Sequence, residues 1–199
     1  MNFIKKIPIW VLNFLYPSKV YNAGNMPSGG AVILCNHFSA FDFIYPMKAS
    51  KEDVVILGKK EIFNNKLFGK ILKSYNVIPV DRENVEVNTI ISALKALKSG
   101  KKLVIFPEGT RNKTGSNELQ VLKGGASIFA IKAKKKVVPM MLLNKPKLFI
   151  KTKIIVGEPF ELTEFYDLKL NEEIIEKTNN IISEKMKEQY EILLTKISK

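Results

Sequence analysis

A chain of 199 residues, 46% of them apolar, can bury a substantial core and is most simply one domain, which excludes an intrinsically disordered polymer. Its only cysteine, Cys35, excludes an internal disulfide and disfavours a cysteine-based metal site, fitting a reducing, cytosol-facing setting. A formal charge of +13, from 32 basic against 19 acidic residues, selects polyanionic company: nucleic acid, an anionic lipid surface or phosphorylated substrates.

The chain opens MNFIKKIPIWVLNFLY, an apolar stretch broken by Pro8 and Asn13 and too short for an ordinary spanning helix of about 20 residues. No small-residue cleavage site follows it, so it is not a clean secretory signal. Trp10, Phe14 and Tyr16 beside Lys5 and Lys6 suit a helix lying among lipid headgroups, and equally a terminal helix packed on the core. We therefore expect residues 1–24 to form an amphipathic, membrane-associated segment and residues 25–199 to form the main domain.

After the loop AGNMPSGG, buried strands are expected over 31–35, 54–58, 77–80, 103–106, 137–143 and 152–157. Helical spacing of apolar residues recurs over 63–74, 85–98, 119–134 and 171–196. Strands alternating with helices predict an α/β layered fold, a largely parallel sheet flanked by helices, with its site beyond the carboxyl ends of the strands. No internal repeat or low-complexity linker marks a second domain.

The only histidine, His37, falls at such an end, directly after the run AVILC and Asn36. Histidine is the side chain that can act as a base near neutral pH, which makes His37 a candidate general base. Asp42 follows five residues later, and on a straight helix the two would stand about 140° apart. If the chain instead turns and a helix begins near Ser39, the carboxylate can reach one imidazole nitrogen and leave the other free to take a proton. The alternative is that Asp42 simply caps the first helical turn.

Lysines between residues 58 and 82, among them Lys59, Lys60, Lys66, Lys70 and Lys73, alternate with Ile62, Phe63, Leu67, Phe68 and Ile71. That pattern suits a segment resting on an anionic surface or guiding an anionic ligand, or a solvated helix face. Further on, LVIFPEGTRNKTG ends a buried strand in a turn that presents Glu108, Gly109, Thr110 and Arg111. Only two arginines occur in the chain, Arg82 and Arg111, and the planar guanidinium suits bidentate phosphate binding better than lysine does. Arg111 thus reads as an anion clamp or as a structural ion-pair partner, and Glu108 as a group that orients it or binds a substrate hydroxyl.

In order and spacing, NHFSAFD, the KKE…FG…VDR block, FPEGTR, LKGGA at 122–126 and VVP at 137–139 together resemble the lysophosphatidic acid acyltransferase family of glycerolipid synthesis. The resemblance implies an α/β acyltransferase domain with an N-terminal membrane-associated helical motif. It implies transfer of an acyl chain from acyl-CoA or acyl carrier protein to lysophosphatidic acid, by direct attack and with no resident cofactor or metal. His37 becomes the base and Asp42 its partner; Glu108, Gly109, Thr110 and Arg111 look like the acceptor-phosphate site, with Lys59 and Arg82 as further anion contacts. The partners implied are an anionic phospholipid surface, a lysophospholipid and the thioester carrier, on the cytoplasmic face of the cell membrane, and no nucleic acid is expected. The chain departs from the family pattern at Asn76, where glycine is usual, and at Gly124, where many relatives carry a second lysine.

A related acyltransferase using another lysophospholipid, glycerol 3-phosphate or an amino-acid lipid would present the same motifs. A non-catalytic basic module binding membrane or nucleic acid would use the charge and the KAKKK run at 132–136 but leave His37 without a role. Neither a G-x-S-x-G elbow nor a phosphate-binding P-loop occurs. Cys35, inside an apolar run, is expected to be a buried strand residue rather than a nucleophile.

Overall fold

A computed structural model describes residues 9–81, 86–113 and 119–198. The strands begin with β1 (Ser18–Tyr21), β2 (Ala31–Cys35), β3 (Val54–Lys59) and β4 (Val77–Val80), and continue with β5 (Lys102–Ile105), β6 (Val137–Leu142) and β7 (Thr152–Val156). They form one seven-stranded sheet in the order β1-β7-β6-β2-β5-β3-β4. From β6 through β4 all neighbours run parallel, while β7 meets β6 antiparallel and β1 runs parallel to β7.

The central strands are apolar on both faces because helices cover both. Every residue of β2 and of β6 is buried, which is why their sequences read as continuous apolar runs rather than alternating ones. On one face Val32, Leu34, Leu103 and Met141 meet α4 (Val87–Lys98), α5 (Gly124–Ala133) and α6 (Glu172–Ile197). On the other, Ile33, Cys35, Val104 and Met140 meet α1 (Ile9–Leu15), α2 (Ile44–Ala49) and α3 (Lys66–Ser74). The long helix α6 starts where the Asn171 side chain accepts the Ile174 N–H at 2.9 Å, with Glu172 and Glu173 in its first turn suiting the positive end of the helix dipole.

The layered, largely parallel sheet is the one the sequence predicts, with two differences in its first elements. Strand β1 goes unread, and it takes residues 18–21 of the presumed N-terminal segment into the sheet, against β7. Its four residues are only partly buried and show no clean alternation, so it lacks a strand's signature. Helix α2 begins at Ile44 rather than near Ser39, because the intervening backbone is engaged elsewhere, as shown below. The N-terminal helix α1 has seven described residues, and among the described residues no helix is long and apolar enough to cross a membrane. Lys5 and Lys6 lie outside the described residues.

Candidate active site

The site is built where β2 ends. Asn36, buried, donates from Nδ2 to the Leu142 carbonyl at 2.9 Å and accepts the Leu142 N–H at Oδ1 at 2.8 Å. Its side-chain amide thus extends the β2–β6 pairing beyond the last strand residue and fixes the backbone just before His37.

The chain then turns, as the five-residue spacing requires. Oδ2 of Asp42 lies 2.8 Å from His37 Nδ1 and accepts the N–H groups of Phe38 at 2.6 Å and Ser39 at 2.7 Å. Of the two sequence readings of Asp42, the structure shows the first: it partners the histidine, whereas α2 has no side-chain cap, and the backbone N–H groups Asp42 accepts belong to the preceding residues. Engaging the Phe38 and Ser39 donors holds this stretch as turns until the helix starts at Ile44. Asp42 is fully buried and His37 is 13% exposed, so the carboxylate sits behind the ring. With Nδ1 held by a carboxylate, the imidazole is fixed in orientation and Nε2 is left on the ring edge away from Asp42. The ring also stacks on Phe106 at 4.1 Å between centroids.

The second element is the turn after β5. Glu108 is buried and faces inward, its Oε1 accepting the His37 backbone N–H at 2.8 Å and its Oε2 the Gln120 N–H at 3.3 Å. Burial pushes its carboxyl above the ordinary value of 4.5 against the pull of those two donors, and the nearby Asp42 charge adds to the rise. The Asn112 N–H donates to the His37 carbonyl at 2.7 Å, so His37 is gripped from the EGTR turn at both its backbone polar groups. Gly109 has φ +66, a conformation that favours glycine, and a Cβ there would come within 2.6 Å of Lys123 Cδ and push that flexible side chain aside.

Together these elements wall a cleft of about 680 Å³. His37, Lys59, Gly109, Thr110 and Arg111 all line it, which brings five of the eight predicted site residues around one space. Asp42 and Glu108 stand behind it through His37. Arg82 lies outside the described residues; its neighbour Asp81 lines the cleft. Lys59 is half exposed and pairs with Glu61 at 3.2 Å. Ala40, Phe43, Ile56, Leu57, Ile62, Leu72 and Val77 supply the apolar part of its lining. In the following basic helix the lysines Lys66, Lys70 and Lys73 are exposed while Leu72 is buried.

Asn36, Phe106, Asn112 and Lys123 were not singled out as site residues. Asn36 directly follows the buried strand and Lys123 belongs to LKGGA, so both carried a sequence signal; Asn112 acts through its backbone and carried none. Cys35 is fully buried, and that burial, with the Asp42 and Glu108 charges nearby, pushes its thiol well above the ordinary range, as expected of a core residue. Among the described residues no cluster of three or more histidine, cysteine, aspartate or glutamate side chains is placed to hold a metal ion.

Comparison with known proteins agrees with this architecture. The Acyltransferase family profile matches residues 17–143. The chain is 35% identical over 181 residues to a 1-acyl-sn-glycerol-3-phosphate acyltransferase of Bacillus subtilis, covering 85% of this chain and 86% of that protein. It is 38% identical over 130 residues to the protein of the same name from Helicobacter pylori, covering 63% of this chain and 54% of that one. In fold it is similar to the crystal structure of the 1-acyl-sn-glycerophosphate acyltransferase PlsC from Thermotoga maritima, with a TM-score of 0.63 and 21% identity over 85% of this chain and 70% of that one.

Proposed function

The chain belongs to the Acyltransferase family, and from that premise we propose that it transfers a fatty acyl group from acyl-CoA or acyl carrier protein to the free sn-2 hydroxyl of lysophosphatidic acid, giving phosphatidic acid. The observation that carries the reading is the His37–Asp42 pair, 2.8 Å apart, at the edge of a cleft that also holds Arg111.

In this reading Nε2 of His37 takes the proton of the acceptor hydroxyl as its oxygen attacks the thioester carbonyl. The tetrahedral intermediate collapses, the C–S bond breaks, and the imidazolium returns the proton to the departing thiolate. No acyl-enzyme forms. A thioester is already activated, so a base and good positioning suffice, and the reaction calls for no resident metal or cofactor. Asp42 stabilises the imidazolium, and Glu108 acts by holding the His37 backbone rather than by touching the acceptor. Arg111, with Lys59, Thr110 and Gly109, receives the acceptor phosphate at the rim. Arg82, outside the described residues, is a further anion contact in this reading. The apolar wall formed by Phe43, Ile56, Leu57, Ile62, Leu72 and Val77 suits a fatty acyl chain.

Substrates with fatty chains reside in bilayers, so the enzyme works at a membrane surface, on the cytoplasmic face, with α1 as one anchor. The net charge of +13 and exposed Trp10 and Phe14 support that location. Incubating the purified protein with labelled acyl-CoA and acyl carrier protein and a panel of acceptors, followed by product lipid analysis, tests the reading. Phosphatidic acid from lysophosphatidic acid is the expected product. Acylation of glycerol 3-phosphate or of a lysophospholipid with a larger headgroup, with lysophosphatidic acid untouched, would replace it.

A further inference from the structure

The segment joining β6 to β7, residues 143–151, has no part in the chemistry above and an unusual surface. Leu148, Phe149 and Ile150 are consecutive and 53%, 61% and 54% exposed. Lone exposed apolar residues are ordinary, but these three lie beside Phe14 of α1, and Phe14 and Trp10 of that helix are themselves 70% and 69% exposed. The Phe14 and Phe149 rings meet edge to face at 5.5 Å. The Phe149 N–H donates to the Leu15 carbonyl at 2.7 Å, and Phe149 adopts φ +60, a left-handed conformation unfavourable for a large side chain. The loop is thus tied to the end of α1 with its apolar residues directed outward. Exposed Lys145, Lys147 and Lys151 flank them in the chain.

Its place in the fold joins it to the cleft. The loop leaves β6 directly after Leu142, the residue clamped by Asn36, so it lies at the same end of the sheet as His37. Phe41, within the turn between His37 and α2, is 45% exposed and stacks on Tyr16 at the end of α1 at 5.1 Å. Between loop and cleft runs a basic depression of about 630 Å³ lined by Phe38, Arg111, Asn112, Lys113, Lys145 and Lys147, so Arg111 borders both spaces.

We propose that the 143–151 loop inserts Leu148, Phe149 and Ile150 into a lipid monolayer beside α1, with Lys145, Lys147 and Lys151 held at the headgroup phosphates and the mouth of the cleft seated on the bilayer. The inference rests on the membrane-associated reading of the function and adds to it a second anchor, remote in sequence from the first. An apolar tip flanked by lysines fits a bilayer interface, where aliphatic stems lie along the acyl boundary and ammonium groups reach phosphates. An acidic protein surface would satisfy the lysines but not three adjacent large apolar side chains flanked by them.

The test uses the full chain and vesicles of phosphatidylglycerol and phosphatidylcholine in equal parts. Leu148→Ser with Ile150→Ser is expected to weaken co-sedimentation about 10-fold. Phe149→Asn, whose side chain tolerates the left-handed conformation, is expected to act in the same direction without disturbing the loop. In a Trp10→Phe protein, Ile150→Trp is expected to shift its emission to the blue on vesicle addition and to be quenched by brominated acyl chains. Turnover of a short-chain, monomerically dissolved lysophosphatidate should be unchanged in the loop variants, while turnover of vesicle-borne acceptor falls. Unchanged vesicle binding in the loop variants, an unquenched tryptophan at position 150, or a parent protein that ignores vesicles would each overturn the inference. Loop-dependent vesicle binding without acylation of any acceptor would instead uphold the inference and remove the proposed reaction.

Discussion

At the amino-terminal end of the central strands, Lys102 is fully buried, its Nζ donating to the Pro27 and Gly29 carbonyls and lying 3.3 Å from a Glu52 carboxylate oxygen. At the carboxyl end Asp42 is equally buried, and its Oδ2 collects two backbone N–H groups and His37 Nδ1. Both groups are buried and both meet polar partners, although Oδ1 of Asp42 is buried without a hydrogen-bond partner. The difference lies in the partners. None of the groups around Lys102 lines the cleft, so that cluster can only fasten the 27–29 loop to the sheet. Among the partners of Asp42, His37 has a second nitrogen at the opposite edge of the same ring, so the buried charge is felt where a substrate can bind. A buried charge becomes chemically useful when one of its partners also borders a cleft.

Substitutions at the two ends should separate these roles. Asp42→Asn keeps an acceptor for the Phe38 and Ser39 donors but removes the charge behind the imidazole, and should lower kcat about 10³-fold in a folded protein. Activity per folded molecule near that of the parent would erase the contrast. Lys102→Met should do the reverse, costing about 3 kcal/mol of stability, because two carbonyls and a carboxylate lose their donor, with kcat preserved below the melting transition. Denaturant titration alongside turnover reads both.

Arg111→Lys keeps the charge and loses the planar fork. The expected result is a KM for the acceptor raised about 10-fold with a smaller change in kcat, read from initial rates at varied acceptor. A kcat loss as large as that of Asp42→Asn would move Arg111 from the rim to the reacting centre.

The smallest effect belongs to Glu108. Burial raises its folded-state pKa above 4.5, so the folded protein holds this proton more tightly than the unfolded chain does. Its contribution to stability is therefore fully present below pH 4.5 and declines as pH rises from there through the raised value. Glu108→Gln should remove that share of the slope in denaturation midpoints measured against pH. An unaltered slope would assign it to other groups.

The sheet and the site end were legible because parallel strands covered on both faces write themselves as unbroken apolar runs, and because ligand sites gather where those strands stop. The spacing of His37 and Asp42 also carried its own geometry: a five-residue gap cannot pair on a helix, so a turn had to intervene, and Asp42 itself builds that turn. Other features were invisible for equally physical reasons. Strand β1 has too few buried residues to show a period. The inward direction of Glu108 depends on a backbone N–H of His37, 71 positions earlier in sequence, which no local pattern encodes. Asn112 grips His37 through an N–H common to every residue but proline. The exposed triplet at 148–150 reads as a short apolar run, and only its tertiary surroundings, with Phe14 against Phe149, distinguish it from core.

The central claim is that the His37 imidazole is the base that activates the acceptor. His37→Ala, verified as folded by its denaturation profile, should show acceptor-dependent thiol release from acyl-CoA or acyl carrier protein reduced by about 10³-fold or more. Release at most of the parent rate from that folded variant would contradict the account.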